Sequence, residues 1–318
     1  MIIHVIGTIN GQINEGMRNI ATHLAKEFEK DNTVLYSGLK QIFHIVLNSK
    51  RADVTIIFAR ANKLVYRMAS IVTKLSKHTW IVLVQKPDPG FIAMNDRHML
   101  KCSYLSITKG DLKYINTLPG KQKELFSVGI KTEKFLPVSK EKQKALKKKY
   151  GFDPMKPLII HVGHCSKGRG LEDFEKIHVA QRMVVASGMF EDENVVRVLN
   201  EAKVKIHKGY LENVEEVYQM ADAYLFPTQS AEFVISIPLS VMEALSCGVP
   251  VIGYKSFENL KEICGIEGAL TLIDTADQLD TVLPDVFKKK CDYSLLEKSE
   301  PWSDVAQDLM RVIREGNT

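Results

Sequence analysis

The stretch Pro238-Leu239-Ser240-Val241-Met242-Glu243-Ala244-Leu245-Ser246-Cys247-Gly248-Val249-Pro250-Val251-Ile252 decides the fold. Proline is tolerated in the first turn of a helix, where its missing N–H has no partner to lose. Glycine suits the left-handed residue just past a helix end. Pro238 and Gly248 therefore bracket a helix over 238–247, and Val249-Pro250-Val251-Ile252 starts a strand at 249–253. A helix running at once into a short, wholly apolar strand is the signature of a parallel sheet covered on both faces. Glu243 is the one acid on a helix otherwise apolar at Leu239, Val241, Met242, Ala244 and Leu245. A carboxylate withdrawn from water needs a partner. The hydroxyl pair of a ribose would be one, and a lysine of the same domain another.

The same alternation runs outward in both directions. Apolar runs predict strands at 2–7, 33–37, 53–59, 80–85, 102–107 and 124–128, with helices near 16–30, 39–49, 61–77 and 109–117. Met17, Ile20, Ala21, Leu24 and Phe28 fall on one helical stripe, the spacing of a packed face. Residues 137–152 (PVSKEKQKALKKKYGF) are polar and lysine-rich and read as a short exposed helix in a linker over 139–152. The rhythm then restarts, with strands at 157–162, 182–186, 204–208 and 223–227 and helices near 171–179, 192–202, 213–220 and 258–264. A final helix near 302–315 follows Pro301. The fold class is thus α/β, with two Rossmann-like domains of parallel sheet at 1–138 and 153–300. In such sheets ligands bind beyond the carboxyl ends of the strands, so a cleft between two such ends is the expected site.

Composition agrees and narrows the function classes. A chain of 318 residues suits two domains, and 45% hydrophobic with 25% charged residues is the ordinary globular balance. The opening MIIHVIG reads as a strand and not as a leader. No apolar run reaches the roughly 18 residues that span a bilayer. The five cysteines are scattered with no CxxC, which fits neither a disulfide framework nor a zinc site and suits a reducing, cytoplasmic setting. Charge is uneven: residues 1–150 carry 26 Lys and Arg against 11 Asp and Glu, while residues 151–318 carry 17 against 27. The first half should draw anions or an anionic membrane face, unless its charge serves solubility alone. Its cations are spread over many elements without a nucleic-acid-binding pattern, so nucleic acid is not an expected partner.

Two loops follow strands that end in glycine. The first runs from Gly7 to Gly16 and includes Gly11 and Gln12. Its spacing is not G-x-G-x-x-G, so a nicotinamide dinucleotide is unsupported; it is either a ligand loop or a plain turn. The second is His161-Val162-Gly163-His164-Cys165-Ser166-Lys167-Gly168-Arg169-Gly170-Leu171. Lys167 and Arg169 ahead of a helix would make a receptor for a diphosphate, the alternative being a solvated loop. His161 lies inside its strand and reads as packed or hydrogen-bonded, whereas His164 at the strand end can reach a cleft.

These residues resemble the retaining glycosyltransferases of family 4 (glycosyl transferases group 1), whose fold is GT-B. The run Pro238 to Ile252 resembles that family's donor-site helix. Val128-Gly129-Ile130-Lys131-Thr132-Glu133-Lys134-Phe135-Leu136-Pro137 is similar to its "NGVDTxxFxP" element, and 162–171 to its "VGRLxxxKG" element. Tyr210-Leu211 through Ala223-Tyr224-Leu225-Phe226-Pro227-Thr228 resembles its "LYxxADxxxxPS" segment. Pro301-Trp302-Ser303-Asp304-Val305-Ala306 resembles its closing helix, which crosses back onto the first domain. The likeness is strong over 128–318 and one of layout over 1–127.

The resemblance implies roles. Glu243 would hold the nucleotide ribose, and Arg169, in place of a lysine, would neutralise the donor diphosphate with Lys167 or His164 helping. Gly209, Tyr210 and Leu211 would lie along the nucleobase, with Ser236, Leu239 and Glu232 also on the donor side. Gly11, Gln12 and Gln85 would form the acceptor and phosphate loops. Three positions depart from the pattern: Ile235 stands where a first glutamate is expected, with Glu232 the nearest acid. His164 replaces a phosphate arginine, and Gln85 or Lys86 a histidine. What the family implies is transfer of a sugar from a nucleotide diphosphate to a hydroxyl of a glycan or lipid-linked acceptor. The sequence holds no D-x-D, so no metal and no cofactor is expected. The rival expectation is a non-catalytic scaffold or partner subunit with the same fold.

Overall fold

The computed structural model describes residues 1–9, 16–260, 269–289 and 300–316, with backbone alone at 187–190 and 233. The chain divides into two units: Met1–Gly129 with Ile235–Ile237 and Glu300–Thr318, and Ile130–Val234 with Pro238–Ser299.

The first unit alternates β1 (Ile2–Gly7), α1 (Gly16–Phe28), β2 (Thr33–Ser37), α2 (Ile42–Arg51), β3 (Val54–Phe58) and α3 (Lys63–Val72). It continues with β4 (His78–Leu83), α4 (Pro89–Arg97), β5 (Ser103–Ser106), α5 (Lys109–Leu112) and β6 (Lys123–Leu125). The six strands described pair in parallel in the order β2-β1-β3-β4-β5-β6. Parallel strands covered on both faces are nearly continuous apolar runs, and every residue of β3 is buried, Thr55 with its hydroxyl donating to Ser76 Oγ at 2.9 Å. The α1 stripe packs as its spacing predicts, with Ile20, Ala21, Leu24 and Phe28 buried. Ile45 of α2, Val65, Met68, Ala69 and Val72 of α3, and Phe91 of α4 share one core with Ile57 and Ile81 of the sheet.

The second unit contains α6 (Lys140–Lys149), β7 (Leu158–Cys165), β8 (Gln181–Glu191), α7 (Glu193–Glu201), β9 (Lys205–Lys208) and α8 (Val214–Met220). After these come β10 (Ala223–Phe226), α9 (Leu239–Ser246), β11 (Val251–Tyr254), β12 (Leu270–Ile273) and α10 (Leu279–Val286). The six strands described are again parallel, in the order β12-β11-β10-β7-β8-β9, with apolar cores on both faces. The last helix, α11 (Trp302–Glu315), groups with the first unit, where the Trp302 ring stacks on His23 at 5.1 Å between centroids.

Several elements differ from the sequence expectation. The unit boundary falls at Gly129–Ile130, not at 138. Helix α6, expected as an exposed linker, is fastened to the second unit: Gln143 Nε2 donates to Ala221 O at 2.9 Å, and buried Lys147 pairs with Asp222. Helix α4 was not expected, because Lys86-Pro87-Asp88-Pro89-Gly90 reads as a turn; Pro89 instead occupies the first helical turn, where proline is at home. Helix α10 carries Pro284 internally, yet Leu279, Leu283 and Val286 bury one face and outweigh the lost hydrogen bond. The four-residue edge strand β12 was also missed. Residues Leu171–Lys176 form a 3-10 helix, not an α-helix over 171–179. Gly11, Gln12, Cys264, Cys291 and most of the helix expected near 258–264 lie outside the described residues. Among the described residues no helix is long and apolar enough to cross a membrane.

Candidate functional site

Strand β7 sets the site. It is buried from Leu158 to His161, then its register against β8 shifts between Gly163 and Cys165. Such irregularities re-aim side chains at strand ends. A Cβ on Gly163 would stand 2.7 Å from His161 Nε2, so this position admits only glycine without a shift of the imidazole. His161 Nδ1 sits 2.9 Å from Leu225 O, so that nitrogen carries the hydrogen and donates it. Burial holds His161 neutral, with its pKa pulled down to about 3. The imidazole is thus structural, as its place inside the strand suggested.

Beyond β7 the chain doubles back through Gly168 (φ 84°) and Gly170 (φ 73°), left-handed conformations that glycine adopts without strain. A Cβ on Gly170 would meet Pro227 O at 2.5 Å. Between the two glycines the backbone of Arg169 is clamped. Its N–H donates to Ser166 O at 3.2 Å, and Thr228 Oγ1 donates to its carbonyl at 3.2 Å. The side chain turns inward and is only 8% exposed, and its Nε and Nη1 have no hydrogen-bond partner among the described residues. Burial pulls its pKa below the ordinary arginine value, yet a guanidinium keeps its proton in proteins. A buried cation with open donors is costly unless an anion completes it. The 3-10 helix that follows is too short to add much of a dipole, so the guanidinium is the buried positive charge of this loop.

His164, at the register shift, is half-buried beside this charge. Burial first, then the field of Arg169, pull its pKa down to about 4, so it is neutral at pH 7. Beside Arg169 it is thus an uncharged imidazole. Lys167 is exposed at the tip of the loop.

Glu243 projects from α9. Tyr218 Oη of α8 donates to its carboxylate at 2.7 Å. Burial lifts the Glu243 carboxyl to about 7, against the pull of the Tyr218 hydrogen bond and of Lys131. Of the two partners expected, a lysine does act, but from a distance; the direct partner is a tyrosine. Tyr218 lies against Tyr224 (ring centroids 5.9 Å apart), which stacks on His161 at 5.6 Å. Tyr224 Oη donates to Ser240 Oγ at 2.8 Å. Arg169 and Glu243 both act electrostatically on Tyr224. A buried aromatic row thus joins the cation to the carboxylate, and sequence reasoning did not single out Tyr218, Tyr224 or Ser240. The signal lay in the quoted segment leading to Pro227, which holds two of these three residues, Tyr218 and Tyr224.

The other expected residues are dispersed. Gly209 is left-handed (φ 91°) with open space where a side chain would go, and Tyr210 beside it is 57% exposed. Leu211 packs on the core and Leu239 is buried. Glu232 is exposed on a single 3-10 turn. Ile235 and Ser236 group with the first unit: Ser236 N–H donates to Val84 O at 2.7 Å, and a Cβ on Gly16 would meet Ile235 Cδ1 at 2.7 Å. The position where an acid was expected is an apolar contact with the start of α1. Gln85 is half-buried in the first unit, next to Lys86, whose Nζ lies 4.5 Å over the Tyr114 ring.

Residues 157–283 match the family described as Glycosyl transferases group 1. Sulfoquinovosyl transferase SQD2 of Arabidopsis thaliana is 25% identical over 152 residues, covering 46% of this chain and 28% of that protein. The chain thus matches less than a third of the length of that relative. Two solved structures are similar over nearly the whole chain. Anabaena HepE in complex with UDP-glucose has a TM-score of 0.79 at 12% identity, covering 98% of this chain and 99% of that one. Sucrose-phosphate synthase from Thermosynechococcus elongatus has a TM-score of 0.77 at 11% identity, covering 98% of each chain. The fold is the expected GT-B class, and the resemblance to glycosyl transferases group 1 is carried by the unit that holds Arg169 and Glu243.

Proposed function

We propose that the chain transfers a sugar from a nucleotide diphosphate to an acceptor hydroxyl, with retention at the anomeric carbon and without a metal ion. The observation that carries this reading is the buried guanidinium of Arg169, with Nε and Nη1 unpartnered among the described residues. Expelling a diphosphate requires fixed positive charge where negative charge develops, and a preorganised cation in a dry site supplies it. Glu243, steadied by Tyr218, accepts from the ribose hydroxyls. His164 adds a second positive charge only once the diphosphate offsets the field of Arg169 and lets the imidazole take a proton. Retention rests on the resemblance to family 4. UDP-glucose is the first donor to try, since HepE was crystallised with it. A glycan or lipid-linked acceptor is supported by the positive charge of residues 1–150, and a cytoplasmic setting by the free buried thiols of Cys102, Cys165 and Cys247.

The test is sugar release and transfer from UDP-glucose, GDP-mannose and ADP-glucose, with and without EDTA, and the product anomer read by proton NMR. The reading expects turnover of one donor, indifferent to EDTA, with the anomeric configuration kept. Loss of turnover that manganese restores would refute metal independence, and an inverted product would refute retention. A second reading, a non-catalytic scaffold, is favoured by Ile235 packing where an acid was expected. A donor at 100 times its Kd should stabilise a binder by about 2.7 kcal/mol and a scaffold not at all.

A further inference from the structure

Helices α2 and α3 lie side by side on one face of the first sheet, and each buries a single stripe. On α2 that stripe is Ile45 and Ser49. The opposite side carries Phe43 and Leu47, one turn apart, followed by Lys50 and Arg51. Phe43 is 78% exposed, and Ile42 at the helix start is 60% exposed. On α3 the outward side carries Lys63, Leu64, Arg67 and Ile71, with Lys74 just beyond, and Leu64 is 67% exposed. A water-facing helix side ordinarily bears mixed charges. Here it bears large apolar groups and cations, and neither helix contains a carboxylate. The nearby acids Asp88 and Asp53 are engaged by Arg60 and Lys77. Lys50, Arg51, Lys63, Arg67 and Lys74 make no ion pair among the described residues.

We propose that this outer face of α2 and α3 docks on an anionic lipid bilayer. Exposed apolar groups in such number mark a contact surface. Phe43, Leu47, Leu64 and Ile71 are suited to the boundary between headgroups and acyl chains, and the interspersed cations to anionic headgroups around them. The same face of a second copy would bring cation against cation, so a symmetric self-association is opposed by charge. The proposal does not depend on the transferase reading, and its test uses no sugar donor.

The test is sedimentation of the full chain with vesicles of phosphatidylcholine alone or with about 30% phosphatidylglycerol. Binding is expected to the anionic vesicles only and to fall steeply between about 0.1 and 0.5 M salt as charge is screened. Charge reversal at both Lys63→Glu and Arg67→Glu should weaken binding by at least about 25-fold, about fivefold per cation lost. The pair Phe43→Ser and Leu47→Ser should weaken it more than tenfold, while Met155→Ser, an exposed site of the second unit, changes nothing. Phe43→Trp supplies a readout independent of folding defects: its emission should shift to the blue with anionic vesicles alone. Equal binding by wild type and all variants, no preference for the anionic vesicles, or no shift of the tryptophan emission would overturn the proposal. A dimer in light scattering that Phe43→Ser and Leu47→Ser dissolve would assign the face to self-association instead.

Discussion

Tyr218 Oη donates to the Glu243 carboxylate at 2.7 Å, and this one bond fixes the only acid of helix α9. Burial nevertheless raises the Glu243 pKa from 4.5 to about 7, so the folded state holds a proton that the unfolded chain releases. Between those values the folded state binds more protons, and stability falls as pH rises. Glu243→Gln removes the titration. The variant should match the wild type near pH 4 and exceed it by about 1–2 kcal/mol at pH 8, a figure discounted for partial solvent access. Urea denaturation at the two pH values checks this; a constant difference contradicts it.

Arg169 stands in the opposite position, a buried charge whose Nε and Nη1 have no hydrogen-bond partner among the described residues. Replacing it by an apolar side chain of similar length removes a desolvation cost, as happens at other buried ionic sites. Arg169→Met should therefore melt at the same temperature or higher, by up to about 2 kcal/mol, while losing the donor site. A strongly destabilised variant would mean that the guanidinium is a structural strut.

On the proposed function, His164 should make donor binding pH-dependent. Its pKa is pulled down to about 4 by burial and by Arg169. A bound diphosphate would raise that value, so the complex should take up a proton and affinity should grow as pH falls from 7 towards 5. Calorimetry of UDP binding in two buffers of different ionisation enthalpy measures the uptake. His164→Gln should abolish it, and uptake that survives in that variant would remove His164 from the account.

Lys147 of α6 and Asp222 form a buried pair, and Asp222 also accepts from Leu158 N–H at 2.8 Å and Gln143 at 3.1 Å. Lys147→Met strands that carboxylate and should cost about 3 kcal/mol. An unchanged midpoint in urea would return α6 to the role of a loose linker.

How far the sequence foretold this arrangement varies with the physics of each element. The two parallel sheets were legible because buried strands such as Val54–Phe58 are nearly continuous apolar runs, interrupted here only by Thr55. Helix α9 was legible from Pro238 and Gly248. Helix α4 was hidden because Pro89 and Gly90 signal a turn unless the helix starts at the proline. The lysine-rich α6 looked solvated because its two anchors, Gln143 and Lys147, are polar and find their partners some 75 residues on, at Asp222. Within the site, Arg169 and Glu243 were marked by local pattern. Their link through Tyr218 and Tyr224 was not, since contacts between α8, α9 and β10 are long-range and a core tyrosine is spelled like any other. Ile235 was read as a missing acid; its packing on Gly16 is visible only in three dimensions.

The central claim is that the unpartnered guanidinium of Arg169 is an anion receptor. Isothermal titration of UDP into the wild-type chain and into Arg169→Met at matched pH and salt tests it directly. The account predicts saturable 1:1 binding to the wild type and a loss of at least about 100-fold in the variant, the scale of one buried charge-assisted contact. Equal affinity in the two proteins, or no binding to either, would contradict it.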